Sequence, residues 1–330
     1  MLFKKWILTQ KVKPYYKNAI NYLAKYFNMT EINQIRKIIT YIREKYCLDK
    51  YKAREAIIIA PFGQEYFEKS VKNLIGSKAV RKLSKKENFS VIIVTSRNTD
   101  ISDCPNEFKV IQMDSPPGWP ANNSYLNRLI KWGMPLLFKN IGSSIYIDSN
   151  VIITNHARKI KKLFKIIKKR KFVNTIHSSR KNWEDEYDAI VQNKRCGNLE
   201  TIEKQKDFLQ TVNGTENIPI CQNKFLGRIH SDEFALLNLE VLAQVFNFSE
   251  RDQLGLVYAA HKTGKQPFTL EEGEILFTVF SQHVNINTVC FVQSKERYLR
   301  LIGRPFYKYK NLPLLGFLNK IRDRYFLYKI

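Results

Sequence analysis

Three short, unbroken apolar runs restrict most what this chain can fold into: Ala56-Ile57-Ile58-Ile59-Ala60, Val91-Ile92-Ile93-Val94-Thr95 and Ser144-Ile145-Tyr146-Ile147-Asp148. A strand with one wet face alternates apolar and polar residues. A run that stays apolar must bury both faces, as strands of a parallel sheet do. Between these runs, 64–84 and 122–139 read as helices, and 108–111 carries a weaker strand pattern. Strands alternating with helices predict βα units and an α/β fold with a mostly parallel central sheet flanked by helices. Ligands of such sheets bind beyond the carboxyl ends of the strands, which directs attention to Asp148-Ser149-Asn150.

No internal repeat or clear linker interrupts 53–290, which reads as one domain. Residues 1–52 read as a basic helical N-terminal extension, with Ile32, Ile35, Ile38, Ile39 and Ile42 at helical spacing, and 291–330 as a basic, aromatic C-terminal tail. The 55 Lys and Arg against 30 Asp and Glu leave a net charge of +25, which favours polyanions, phosphorylated ligands or an anionic membrane face. A hydrophobic fraction of 44% excludes global disorder. No run approaches the roughly 20 apolar residues needed to span a bilayer, and Trp6-Ile7-Leu8 is too short for a signal peptide. Five scattered cysteines without a CxxC pair argue against a zinc site and fit a reducing cytoplasm. The tail after Arg297 interleaves basic residues with aromatics and leucines, as suits a segment resting on anionic lipid at the inner membrane face. Residues 158–171 hold nine Lys or Arg around a stripe of Ile160, Leu163, Phe164 and Ile167; this reads first as an amphipathic helix covering the sheet, and second as a polyanion patch.

Several residue groups have the chemistry of a site. Asp148 and Asn150 sit two apart at a strand end, where alternation turns both oxygens to one side and toward one hard cation. Arg128 and Lys131, one helical turn apart, share a face and suit a phosphate. The segment from His177 to Glu186, with Arg180, Glu184 and Asp185, crowds an imidazole, a guanidinium and carboxylates into ten residues; the same acids also suit the first turn of a helix. Ser249 reads as an N-cap, with Asp252 in the helical turn after it, held where a carboxylate acts as base on a hydroxyl.

Taken in order, the strand Ile145-Tyr146-Ile147-Asp148, the spacing His177-x-x-Arg180-x-x-Trp183-Glu184-Asp185, the string Arg251-Asp252-Gln253-Leu254 and the looser Arg128-x-x-Lys131 resemble one family. It is the glycosyltransferase-like domain named after the plant proteins TOD1 and MUCI70, and the resemblance runs from about Ala56 to about Lys262. It implies a GT-A-like, Rossmann-like fold that binds a nucleotide-sugar, with Asp148 at the diphosphate through a divalent Mn²⁺ or Mg²⁺ that Asn150 would help to hold. By the same resemblance Arg128 and Lys131 face the donor phosphates and His177 and Arg180 line the sugar pocket. Glu184, Asp185, Arg251 and Gln253 join the donor side, and Asp252 is the catalytic base or acceptor-binding carboxylate. The chain departs from the family pattern at Ser149, where Gly is usual, in lacking a second acid after Asp148, and at Trp183, where Tyr is usual.

The expected function is transfer of a sugar from a nucleotide diphosphate to a hydroxyl of a surface glycan such as capsule or lipopolysaccharide. The acceptor is a glycan or lipid-linked glycan, and the enzyme is cytoplasmic or peripheral at the inner membrane face. The alternatives are a basic nucleic-acid-binding protein, although no specific nucleic-acid motif appears, and a catalytically inactive scaffold.

Overall fold

The computed structural model of the chain describes residues 31–149, 151–153, 157–177, 179–193, 198–270 and 280–282. The apolar runs and the weaker pattern become β1 (Ala53–Ile59), β2 (Phe89–Ser96), β3 (Lys109–Met113) and β4 (Ile141–Ile147). β1 pairs in parallel with β2 and β4, and β2 with β3. Beyond β4 the sheet continues through β7 (Cys221–Ile229), antiparallel to both β4 and β6 (Phe172–Ile176), and ends at β8 (Phe268–Leu270), parallel to β6. The result is a mostly parallel sheet of seven strands in the order β3-β2-β1-β4-β7-β6-β8, flanked by helices as expected. A separate antiparallel pair joins β5 (Val151–Ile153) to β9 (Phe280–Gln282).

Alternation along the strands divides the core into two layers. Ala56, Ile58, Ile92, Val94 and Tyr146 face the layer formed by helix α1 (31–45), α4 (Asn123–Leu137) and α8 (Ala235–Asn247). Ile57, Ile59, Val91, Ile93, Ile145 and Ile147 face the opposite layer of α2 (Gln64–Gly76), α3 (Lys78–Ser84) and α5 (Ala157–Arg170). Within the segment expected to extend from the domain, the isoleucines of α1 are buried in the first layer. A third cluster, around Trp183, Ile202 and Leu254, lies among α6 (Trp183–Gln192), α7 (Leu199–Gln210) and α9 (Asp252–Thr263). Among the described residues no helix is long and apolar enough to cross a membrane.

Three local readings are corrected. The single helix expected over 64–84 breaks at Ser77, whose hydroxyl accepts from the Val80 amide at 3.3 Å and starts a second helix. Ser249 does not cap α9. Arg251 occupies that position, and the Ser249 hydroxyl donates to Gln205 Oε1 at 3.0 Å and accepts from the Arg251 amide at 3.3 Å. Strand β7 is absent from the sequence reading. Its Gly227 permits close packing of α5, since a Cβ there would lie 2.6 Å from the Ile167 side chain.

β7 and the residue after it also deliver two bases to the α4 side, one buried and one half-buried. Arg228, 1% exposed, donates to the Lys131 carbonyl and, at 2.8 Å, to Asn238 Oδ1, tying β7 to α4 and α8. Just past the strand, His230 has its ring nitrogens 2.7 Å from the Phe138 carbonyl and 2.7 Å from Ser144 Oγ. A carbonyl only accepts, so Nδ1 carries the proton and Nε2 accepts from the serine. Burial pushes His230 down to about 4 from 6.5. Between those values the unfolded chain binds a proton that the folded one refuses, so this contribution is intact above pH 6.5 and lost as pH falls toward about 4. Acidification over that window is expected to remove about 3 kcal/mol of stability. Urea unfolding of His230→Gln against the parent at pH 7 and pH 4.5 checks this: the variant should show a markedly smaller acid loss.

Candidate active site

Asp148 follows Tyr146 by two residues, so it leaves the end of β4 on the α4 side of the sheet, at the carboxyl edge where β1 and β4 run together. Its amide donates to the Lys224 carbonyl at 2.9 Å, which continues the β4–β7 ladder and holds the residue in place. The Tyr146 hydroxyl donates to Asp148 Oδ1 at 2.9 Å and accepts from Asn127 Nδ2 at 2.8 Å; Asn127 Nδ2 also donates to the Ala60 carbonyl at 2.8 Å. A carboxylate on the sheet edge is thereby fixed through one phenol and one amide to both central strands.

Helix α4 brings the cations. Asn122 caps it by accepting from the Ser124 amide at 2.7 Å. One turn in, Arg128 and Lys131 project toward the strand edge. Lys131 Nζ stands 3.8 Å from Asp148 Oδ1 and 2.9 Å from Asp252 Oδ2, and it is 1% exposed. Arg128 Nε lies 3.2 Å from Asp252 Oδ1 and 2.9 Å from the Glu250 carbonyl it donates to. Trp132 Nε1 donates to Asp252 Oδ2 at 2.8 Å. Two carboxylates and two cations thus form a neutral quartet, with Asp252 at its inner end and Asp148 at its outer end. Side-chain exposure follows this depth: Asp148 keeps 24%, Arg128 17% and Asp252 3%.

The electrostatics follow from burial against neighbours. Burial alone would raise the Asp252 carboxyl, but Arg128, Lys131 and the hydrogen bonds from Lys131 and Trp132 outweigh it and hold the group below the usual carboxylate range. Burial lowers Lys131, while Asp148 and Asp252 pull it back up. Burial pushes the Tyr146 phenol well above its ordinary value, with the Asp148 charge adding to the shift, so it stays protonated and donates.

A second charged group borders the quartet. Glu186 of α6 is buried and pairs with Arg180. Burial raises its carboxyl, and both Arg180 and Arg251 offset part of the rise. Arg251, just before α9, lies in the fields of Glu250, Arg128, Glu186 and Asp252. Arg128, Lys131, Asp148 and Asp252 therefore form one ion-paired group, and Arg251 and the Arg180–Glu186 pair lie within reach of its charge, although these residues come from four separate parts of the chain.

Glu184 and Asp185 are exposed and serve the start of α6: Asp185 Oδ2 accepts from the Lys181 amide at 2.7 Å, its own amide donates to Asn182 Oδ1 at 3.0 Å, and Glu184 Oε2 accepts from Asn182 Nδ2 at 3.4 Å. His177 is half-buried just after β6, its amide donating to the Ile220 carbonyl at 2.8 Å and its Nδ1 accepting from the Ser179 amide at 3.3 Å. Gln253 is half-buried in the first turn of α9, and Asn150 lies outside the described residues. Asn127 and Trp132 carry no such signal in the sequence, Tyr146 reads there only as a strand residue, and Glu186 only as one of the carboxylates crowded after His177.

A divalent cation at this edge would need several oxygen ligands. Asp148 is the only carboxylate of the quartet open to solvent, its Oδ1 already accepts from Tyr146, and the Lys131 ammonium stands beside it. Both oxygens of Asp252 are engaged by Arg128, Lys131 and Trp132. Among the described residues no group of three or more His, Cys, Asp or Glu is placed to hold a metal ion. Of the two expected metal ligands only Asp148 lies among the described residues, and there it offers one carboxylate oxygen that Tyr146 does not already engage.

No protein-family model matches the sequence, and no curated protein matches it. Solved structures similar to the chain include mouse xyloside xylosyltransferase 1 in its apo form, at 11% identity and a TM-score of 0.42, covering 72% of this chain and 100% of that one. The apo WbbM bifunctional glycosyltransferase is similar at 10% identity and a TM-score of 0.41; the match covers 63% of this chain but only 38% of the length of WbbM. A third is 4-diphosphocytidyl-2C-methyl-D-erythritol synthase, at 10% identity and a TM-score of 0.36, covering 76% of this chain and 98% of that one.

Proposed function

We propose that the chain is a GT-A-like glycosyltransferase, of the kind its TOD1/MUCI70-like motifs suggest, that transfers a sugar from a nucleotide diphosphate to a hydroxyl of a glycan. The observation that carries this reading is Asp148, a solvent-facing carboxylate held by Tyr146 and Lys131 at the carboxyl edge of β4. A parallel sheet receives its ligand at that edge. In this reading Asp148 contacts the donor and the outer edge of Arg128 faces the diphosphate, offsetting the charge that grows on the leaving group. Binding donor and acceptor side by side supplies the rest of the acceleration.

Asp252 takes a different role from the base expected of it. Both its oxygens are held by Arg128, Lys131 and Trp132 in a buried position, so it serves to position the two cations. Arg180, which pairs with Glu186, and His177 remain candidates for the sugar side. The acceptor class, surface glycan or lipid-linked glycan, and the cytoplasmic setting belong to the same proposal.

The test is a thermal-shift screen of nucleotide-sugars with and without Mn²⁺, followed by a product assay with glycan acceptors. A ligand present at 100 times its Kd stabilises the fold by about 2.7 kcal/mol. A nucleotide-sugar should raise the unfolding temperature, and nucleoside diphosphate should be released only when acceptor is added. No shift with any nucleotide-sugar, or release of pyrophosphate from a nucleoside triphosphate instead, overturns the reading.

Tyr146→Phe separates positioning from packing. It removes only the hydroxyl that holds Asp148, so kcat should fall about tenfold with KM for the donor little changed, and stability by about 1 kcal/mol. Steady-state kinetics alongside urea unfolding read both. An unchanged kcat would remove the phenol from the mechanism.

A further inference from the structure

The layer opposite the candidate site has an outer surface that the proposed chemistry does not use. The apolar stripe of α5, Ile160, Leu163, Phe164 and Ile167, is fully buried against the sheet, which leaves its lysines outside. Lys161, Lys162 and Lys165 are exposed there, and beside them stand Lys82, Lys85 and Lys86 from α3 and the turn after it. α3 and α5 pack against each other, so two segments far apart in sequence pool their charge on one face. None of these six ammonium groups makes an ion pair among the described residues. Two acids stand among these lysines: the exposed Glu87 follows Lys86 directly in the chain, and Glu107 shares a shallow cleft with Lys78, Arg81, Lys82 and Lys85. Lys161, with Lys82 adding to the effect, lies close enough to hold Lys86 below the ordinary lysine range. The far end of α5 differs: there Lys168 pairs with Glu55 and Arg170 lies over the Phe268 ring at 4.1 Å.

Like charges gathered from two helices, in excess of the acids among them and not ion-paired, weaken the fold unless something anionic meets them. We propose that the α3–α5 face docks on an anionic lipid surface. The residue types favour that occupant over nucleic acid. These are lysines, compact charges on flexible stems that follow a fluid array of headgroups; arginine forks, which read phosphate and guanine bidentately, are in the minority. The exposed positions of α3 and α5 are charged, with no aromatic on which a base would stack. α5 is about 21 Å long at 1.5 Å per residue, long enough to meet several headgroups at once. Because its apolar stripe is committed to the core, docking is electrostatic, without insertion, and falls with ionic strength. The proposal rests on this surface alone and holds whatever chemistry the opposite layer performs.

The test is co-sedimentation with phosphatidylcholine vesicles containing about 30% phosphatidylglycerol, a composition chosen to give the anionic surface potential that attracts basic segments. A variant carrying Lys82→Gln, Lys86→Gln, Lys161→Gln and Lys165→Gln is compared with one of equal charge loss elsewhere, Lys37→Gln, Lys50→Gln, Lys52→Gln and Lys139→Gln. All eight lysines are exposed, and an unchanged or raised thermal midpoint shows that each variant folds. The expected result is at least a tenfold loss of vesicle partitioning for the first variant and a much smaller loss for the second. Binding of the parent should disappear on pure phosphatidylcholine and in high salt, and inorganic phosphate at matched ionic strength should not compete. Equal losses in the two variants overturn the proposal. So does a first variant that keeps its vesicle binding while losing affinity for a duplex oligonucleotide.

Discussion

Asp148→Asn is expected to lower sugar transfer by about 10²–10³-fold, the cost of removing one fixed electrostatic contact from a transition state, while the fold stays intact. The carboxylate is 24% exposed, and its hydrogen bond from Tyr146 can pass to the amide oxygen, so little packing is at stake. The loss should appear in kcat/KM for the nucleotide-sugar, measured as acceptor-dependent release of nucleoside diphosphate, with a thermal midpoint within a few degrees of the parent. Full activity in a folded Asp148→Asn protein would end the assignment of this strand edge as the donor site.

Asp252→Ala should act in the opposite sense, on the fold before the chemistry. Lys131 is 1% exposed and reaches Asp252 at 2.9 Å, with Arg128 at 3.2 Å from the other oxygen. Removing the anion leaves buried cations facing each other and an indole N–H without its acceptor, a change that costs about 3–5 kcal/mol. Guanidinium unfolding of the single variant should show that loss, and the double variant Lys131→Met/Asp252→Ala should recover part of it, because a buried pair replaced by apolar groups is far cheaper than a broken one. A single variant within 1 kcal/mol of the parent would sink this account. The pH dependence has a definite sign. The folded carboxyl lies below 3.8, the value of an unperturbed aspartate, so its contribution is complete above that pH and drains away as pH falls through the folded value. The His230 loss begins near pH 6.5, so the two groups act in separate windows.

The sheet was largely legible because β1, β2 and β4 are apolar at consecutive positions, a pattern that has no use at a wet surface. β7 was not legible. Cys-Gln-Asn-Lys-Phe-Leu-Gly-Arg-Ile mixes polar residues with a glycine, and its place between β4 and β6 is decided by the partners it meets. Asp148 showed itself as an acid closing an apolar strand, whereas Tyr146 looked like one more buried residue until its hydroxyl found that acid. Glu186 carried a signal that the dense acidic segment masked. It falls on the buried stripe of Trp183 and Ile190 in α6, where a carboxylate requires a partner, while the more conspicuous Glu184 and Asp185 point outward. Lys131 was read as a surface clamp from its spacing to Arg128, but it sits between Ile130 and Trp132, both buried, in a stretch of α4 with no solvated side.

The position of β7 has a consequence for how the molecule is made. β4 leaves the ribosome with only β1 beside it, and its other edge stays open until β7, synthesised much later, slides in between β4 and β6. A nascent chain paused before Cys221 therefore carries a bare apolar edge, the kind of surface that invites intermolecular pairing. One paused between Ile229 and Asp252 has closed that edge but still lacks the anion that settles Arg128 and Lys131. Translation order alone keeps the strand-end acid from having its full set of neighbours until most of the chain has emerged.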